Sequence, residues 1–368
     1  MKKTFIRTLA AISIVAMTLV FASCDEKEEN PGDNSTVNPT ENQNIKVETP
    51  RSVTLGKDGN LYVTCYYPRC VARFDLSQKK FTAICELGNY NPEGIAEVNG
   101  KLYIASGYII DENNNTHFDN KLYVVDINSF KLIDSVTVGI NPSSVKKLDN
   151  NHIVYNTMGN YGSDQGGLWI MDVNSKEITK IDVTLYNFDV YNGDIYGYTS
   201  IYSSEPLGFY KVDGSSHQTT TLDINWTASD NPYGIAVNSD NENIIVTTDG
   251  NYTATGDCYV FNSNGSLRKG GIHVGNLPSK IVPLSDEILL VLNEGGWGAN
   301  NAGVSMVDIA AGTADNNFFD NANGRGLGDV AQDIIVDATN AYITVSFSNS
   351  LEIMDINSGK STRYATTK

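Results

Sequence analysis

An all-β fold, a seven-bladed β-propeller of four-stranded antiparallel blades, is predicted for this chain by three observations. The first is a unit, best seen at residues 231–275. It opens Asn231-Pro232 and runs into Ile235-Ala236-Val237. A β-branched run follows from Ile244 to Thr248, then Cys258 to Phe261, a turn at Asn264-Gly265, and a short stretch to Val274. Four short apolar runs separated by turn residues read as an antiparallel meander. The second is recurrence of its opening, as Thr49-Pro50-Arg51-Ser52, Asn91-Pro92-Glu93-Gly94, Asn141-Pro142-Ser143-Ser144 and Leu277-Pro278-Ser279-Lys280. The third is an aspartate before the third turn, at Asp75, Asp126, Asp172, Asp213, Asp308 and Asp355, with Asn262 in the same place. These seven marks stand 41 to 51 residues apart, the length a four-stranded blade needs.

Residues 1–23 lie outside the repeat. Lys2, Lys3 and Arg7 precede an apolar run from Leu9 to Phe21, the pattern of a secretory signal. It ends Phe21-Ala22-Ser23-Cys24, which resembles the lipobox of bacterial lipoproteins, with Cys24 as the lipidated first residue; a plain signal peptide is the alternative. Residues 24–46 follow as a tether. Asp25-Glu26-Lys27-Glu28-Glu29 and the Pro/Gly/Asn/Thr/Ser stretch after it carry too little apolar surface to fold. An acidic cluster directly after the cysteine resembles the surface-export signal of Bacteroidota lipoproteins. That implies an outer-membrane protein, lipid-anchored and facing the cell exterior.

Residues 47–368 form the propeller. Blade 1 runs from about Glu48 to Glu86, blade 2 from Tyr90 to Gly139, and blade 3 from Asn141 to Val183. The fourth, Leu185 to Ile224, lacks the Asn-Pro opening. Blade 5 is the unit described above; blade 6 covers Pro278 to Phe319 and blade 7 Ala331 to the end. For ring closure, packing of the first blade on the last is expected, with Ile45-Lys46-Val47 beside Thr362–Ala365 as a weak latch.

Charge limits the partners. The chain carries 26 basic and 43 acidic residues, net −17. Removing the signal takes away three basic groups and leaves −20, which disfavours nucleic acid and anionic membrane surfaces. Contact with a membrane is expected through the lipid anchor only. Besides Cys24 there are four cysteines. Cys65 and Cys70 flank a short hairpin, where a disulfide and two free thiols are both open; Cys85 and Cys258 read as small core residues.

Strand parity locates the functional face. In a four-stranded meander the second-to-third turns share one face with the links between blades. The connections on the other face are tight, for example Asn99-Gly100, Asn192-Gly193 and Ser358-Gly359. The second-to-third loops are long: Ser106–Asn120, Thr157–Gly167, Thr199–Leu207, Asp249–Asp257 and Asn293–Ala302, with the link Ala314–Val330 placed beside them. Extra loop length on one side of a rigid scaffold marks a binding face. Aromatics in these loops offer flat apolar contact at low entropic cost. The candidate ligand contacts are Tyr66, Tyr67, Arg69, Tyr108, Tyr161, Tyr202, Tyr252, Trp297 and Arg325, with Phe318 and Phe319 in the same class.

No catalytic pattern stands out. The four histidines, His117, His152, His217 and His273, fall in different blades without ligand spacing. Nucleophile elbow and phosphate loop are missing. The run Asp111 to Asp119 has oxygen ligands but reads as a hairpin tip. Inner-strand positions read as mostly Ile, Val, Ala and Ser, with Glu97, Asp189 and Asp333 as exceptions. No catalytic residues, resident metal or cofactor are therefore expected.

Asn293-Glu294-Gly295-Gly296-Trp297-Gly298-Ala299-Asn300-Asn301-Ala302, then Asn323-Gly324-Arg325-Gly326-Leu327-Gly328-Asp329-Val330-Ala331-Gln332-Asp333, is similar to Bacteroidota surface lipoproteins with YncE-like seven-bladed propellers. These include the corrinoid-binding partners of outer-membrane vitamin B12 transporters. In that family the segment opens the mature chain, whereas here it lies near the end. The resemblance implies a non-enzymatic protein that binds a nutrient, a corrinoid first, and delivers it to a TonB-dependent transporter. A glycan-binding accessory protein and a protein-interaction scaffold are the alternatives. A metal-dependent lactonase or lyase is a further reading, one to which no residue pattern points.

Overall fold

A computed structural model describes residues 45–164, 166–199, 206–238, 241–252 and 254–366. The expected signal peptide, Cys24 with its expected lipidation, and nearly all of the expected tether lie outside them, as does Tyr202. The described residues form seven sheets of four strands, each antiparallel and each in sequence order within its blade. The expected blade number and composition are therefore observed. The innermost strands are Glu48–Leu55, Tyr90–Val98, Pro142–Lys147, Asn187–Tyr191, Pro232–Val237, Pro278–Pro283 and Ala331–Val336.

The burial pattern explains why the second strands read as unbroken apolar runs. All five residues of Ile244–Thr248 are buried, as are Ala341 to Val345 in Asn340–Val345. Such a strand is covered on both faces because a neighbouring blade packs on each side. The core is accordingly divided among the seams. Tyr103 and Val124 of blade 2 meet Val145, Tyr155 and Met171 of blade 3. Leu290, Leu292 and Val304 of blade 6 meet Ile343, Val345 and Met354 of blade 7. Fully buried Phe74, Phe188 and Phe261 each contribute about 1.5–3 kcal/mol relative to exposure. Outer strands such as Thr219–Leu222 are half-buried to exposed.

The recurring aspartates fasten the outer turns. Asp75 Oδ1 accepts the backbone N–H groups of Ser77 and Gln78, and Asp213 Oδ1 those of Ser215 and Ser216. Asp172 and Asp355 do the same. These hydrogen bonds stabilise the charged form, and the carboxyls of Asp75 and Asp213 titrate below the ordinary aspartate range.

Two expectations need correction. Ser106–Asn120 is not a loop: the strands Lys101–Ile110 and Thr116–Asp126 continue through it, with Tyr108 opposite Phe118. At its tip both Asp111 oxygens accept from Asn115 and His117 or from backbone N–H groups, so the run is a self-satisfied turn. The link Ala314–Val330 does not stay beside the long loops. It forms the helix Phe318–Asn323, whose Asn323 Nδ2 donates to Gly359 O at 2.7 Å, in the third turn of blade 7. Phe319 is fully buried there. Its C-terminus closes on Gly324, whose φ of 64° is a left-handed value that glycine adopts without strain.

Ring closure combines packing with a few side-chain hooks. Tyr342 and Leu351 of blade 7 pack on Val53, Leu61, Val63 and Phe74 of blade 1. Thr344 Oγ1 donates to Arg51 O at 2.6 Å, Ser346 Oγ to Pro50 O, and Thr49 N to Asn349 Oδ1 at 2.8 Å. Val47 N donates to Thr366 O at 2.8 Å. Residues 45–47 are not a strand, so the latch is one backbone bond.

Candidate functional site

A bulge near the start of each inner strand brings polar residues to the axis. In six blades one extra residue follows the opening position: Pro50 pairs with Cys65 and Val53 with Val63, Pro232 with Thr248 and Ile235 with Val246. Blade 4, which lacks the opening motif, is regular. A bulge re-aims the side chains beside it. Second-strand side chains hold it in place. Thr64 Oγ1 accepts Ser52 N and donates to Glu93 O, both at 2.9 Å. In the same way Asn156 links Ser144 N to Tyr186 O, and Thr247 links Gly234 N to Pro278 O. Each clamp thus also ties one blade to the next. Gly94 belongs to this geometry because a Cβ there would stand 2.7 Å from Ser143 O.

The bulged residues line an axial cavity of about 230 Å³. Its polar wall includes Arg51, Glu93, Tyr233, Lys280, Glu294 and Gln332. The cavity opens on the face of the second-to-third loops, since the start of each inner strand pairs with the end of its second strand (Glu48 with Tyr67). Two carboxylates dominate it. Glu93 Oε2 pairs with Arg51 Nη2 at 3.1 Å and Nε at 3.3 Å, and Glu93 Oε1 accepts the Tyr66 hydroxyl. Glu294 Oε2 accepts the Tyr233 hydroxyl at 2.7 Å and Oε1 the Gln332 amide at 2.6 Å. Burial, reinforced by the adjacent glutamates, holds Tyr66 and Tyr233 well above the ordinary phenol range, so both donate as neutral hydroxyls. Burial opposes the Arg51 charge, but Tyr66 and Glu93 outweigh it and raise the pKa of the guanidinium, which lies 5.0 Å from the Tyr66 ring centre.

Around the mouth stand the exposed aromatics. Trp297 is 60% exposed, Tyr161 55%, Tyr252 45%, Tyr67 43% and Phe118 39%. Among the described residues these are all the exposed large aromatics: Tyr161, Tyr252 and Trp297 sit on second-to-third loops, Tyr67 ends the second strand of blade 1, and Phe118 lies near the tip of the blade 2 hairpin. The exposed large aliphatics, Leu55, Leu132, Ile133 and Leu267, lie elsewhere. Tyr108, Phe118 and Tyr161 form one cluster, with ring centres 5.4 and 5.9 Å apart along it. Tyr252 packs edge-on to Tyr233 at 6.0 Å and so connects the rim to the cavity. Trp297 lies 6.2 Å from Phe347, on a loop held by Gly298 N donating to Asp329 at 3.1 Å. The two halves of the motif around Trp297 and Asp329 thus meet across one seam.

The candidate ligand contacts divide accordingly. Tyr66 belongs to the cavity's hydrogen-bond network; Tyr67, Tyr108, Tyr161, Tyr252 and Trp297 are on the rim. Arg69 is committed to Asn91 Oδ1 at 2.6 Å. Arg325 departs from expectation. It forms a two-point ion pair with Glu352, on the third strand of blade 7, away from the axis. Phe318 and Phe319 also leave the face, since their helix packs on the flank. The view of the inner strands as largely apolar is overturned as well, because the bulge adds Arg51, Glu93, Tyr233 and Lys280 to the channel wall. Sequence reasoning missed these four; the signal was their place directly after the opening proline, or one further on.

Cys65 and Cys70 face each other across their hairpin as unbonded buried thiols. Burial pushes the Cys85 thiol up to about 11 and Cys258 to about 12, so neither is an activated nucleophile. His117, His152 and His273 each face a local aspartate. Among the described residues no three His, Cys, Asp or Glu side chains gather as a metal site.

No protein-family model matches the chain, and no curated protein does. Solved structures do. Hydrazine synthase of Kuenenia stuttgartiensis is similar at TM-score 0.62 and 16% identity, over 90% of this chain and 100% of that one. Virginiamycin B lyase of Staphylococcus aureus, crystallised with quinupristin, is similar at 0.56 and 12%, over 84% and 95%. A computationally designed protein is similar at 0.56 and 9%, over 87% and 88%. At these identities the likeness establishes the propeller fold.

Proposed function

We propose that this chain is a lipid-anchored surface protein that binds a nutrient and passes it to a TonB-dependent outer-membrane transporter. The observation that carries the reading is the one-sided rim: five exposed aromatics on second-to-third loops or the strand ends beside them, around a polar axial cavity. Solvent-exposed aromatics on a rigid ring suit a broad ligand with apolar faces and a polar edge. A corrinoid, implied by the resemblance of the Trp297 and Asp329 segments, is the first ligand to test. A binding role fits the state of the carboxylates better than catalysis does, because all four oxygens of Glu93 and Glu294 already accept from the protein's own donors. The anchor and surface location rest on the sequence around Cys24.

Titration of the whole chain with cobalamin and cobinamide, followed by heat and absorbance, is the test. Saturable binding is expected, weakened about tenfold or more by Trp297→Ala or Tyr161→Ala, the scale of a buried aromatic contact. Absence of both heat and spectral change overturns the corrinoid assignment. The aromatic cluster of Tyr108, Phe118 and Tyr161 favours a glycan as the second reading, for which retention in a polysaccharide gel is the readout.

A further inference from the structure

The axial cavity holds more hydrogen-bond donors than its own walls use. Both oxygens of Glu93 accept from Arg51 or Tyr66, and both oxygens of Glu294 from Tyr233 or Gln332. Arg51 is engaged with Glu93 through two nitrogens. Lys280 differs: among the described residues its ammonium makes no ion pair or hydrogen bond, yet it lines the cavity. Beside it on the same strand, Ser279 Oγ is buried without a partner. Ser52, Ser143 and Ser144 also line these walls. An ammonium offers donors only, and a buried polar atom left unmade costs about 1–3 kcal/mol. The unmet demand is therefore for acceptor oxygens.

Charge and size narrow the guest further. Arg51 and Lys280 balance Glu93 and Glu294 in formal charge. A neutral carbonyl keeps that balance and a carboxylate adds one negative charge, whereas a phosphate dianion would add two. The volume of about 230 Å³ falls below the roughly 300–1,000 Å³ of pockets that enclose a whole small-molecule ligand. It suits one arm of a ligand whose body lies on the rim.

We infer that the axial cavity receives a short arm ending in an amide or carboxylate, whose oxygen is held by Lys280 Nζ and Ser279 Oγ. The inference rests on the ligand-binding reading and adds the chemistry of the group that enters the axis. The test uses the whole chain, with propionamide and propionate as probes and n-propylamine as control, in ligand-observed NMR titrations. At least one oxygen-bearing probe is expected to saturate the site. Its affinity falls about tenfold or more in Lys280→Met, from loss of a charge-assisted hydrogen bond, recovers in part in Lys280→Arg, and falls a few-fold in Ser279→Ala. Saturation by propionamide alone makes the arm an amide, and by propionate alone a carboxylate. No saturation by either probe, equal binding to folded Lys280→Met and Ser279→Ala, or preference for propylamine overturns the inference. If rim ligands fail to bind while the probes still depend on Lys280, the rim reading falls and the subsite stands.

Discussion

Glu352 is fully buried, and donors from three side chains converge on its carboxylate. Arg325 reaches it at 3.0 and 2.8 Å, Arg363 Nε at 2.5 Å and Ser361 Oγ at 2.6 Å. Removing one partner of such an ion cluster costs more than the pair contributes, because a charge is left unpaired. Glu352→Ala is expected to lose about 3 kcal/mol in chemical denaturation, the low end of the usual range, because both arginines are about a third exposed and can rehydrate. Arg325→Ala is milder, about 1–3 kcal/mol, since Arg363 and Ser361 remain. It is expected to leave ligand affinity unchanged; lost binding at full stability would return Arg325 to the mouth. Its flanking glycines make the sequence look like a rim loop, and nothing local reveals an acidic partner 27 residues on. Conversely, Pro92-Glu93-Gly94 looks like a turn, which conceals a carboxylate on the axis. The exposure of Trp297 was legible because an aromatic in a polar loop has little core to join.

The bulged inner strand is the element that turns a repeat into a site. Thr247 is fully buried, accepts Gly234 N at 2.9 Å and donates to Pro278 O. Thr247→Val keeps the shape but leaves a backbone donor and acceptor unsatisfied. Destabilisation of about 1–3 kcal/mol is expected, read as a lower denaturation midpoint. It also frees the start of Pro278–Pro283, so the affinity of rim ligands is expected to fall with it. A stability loss with affinity unchanged would separate the clamp from the site. The Asn-Pro marks made these strands legible, but not the bulge, which exists only as a register against the second strand. The blade 2 hairpin was hidden for a related reason. Asp111 to Thr116 has the composition of a loop, and only the cross-strand pairing of Tyr108 with Phe118 shows that the sheet continues.

At the scale of the ring, the sequence counted the blades and anticipated closure by packing of the first on the last, but not the hooks that hold it. Marks spaced 41 to 51 residues apart count the blades, whereas closure depends on contacts some 300 residues apart, such as Thr49 with Asn349. Every blade is built from four consecutive strands, so no strand is shared between the chain's two ends. The seam of blades 7 and 1 is held by a packed cluster, the hooks from Thr344, Ser346 and Asn349, and the single bond from Val47 to Thr366. Other seams have similar packing and, in addition, a covalent link between the blades they join. Opening of the ring should therefore begin where that link is missing, and local opening of this kind is what native-state amide exchange measures. The amides of Val47, Val53 and Thr366 are expected to exchange faster than their counterparts in blades 3 and 5. Combining Thr344→Val with Ser346→Ala should accelerate them further while leaving the seam of blades 5 and 6 unchanged. Uniform protection around the ring, or acceleration spread evenly over all seven seams, would mean that the toroid opens as one unit and has no weakest joint.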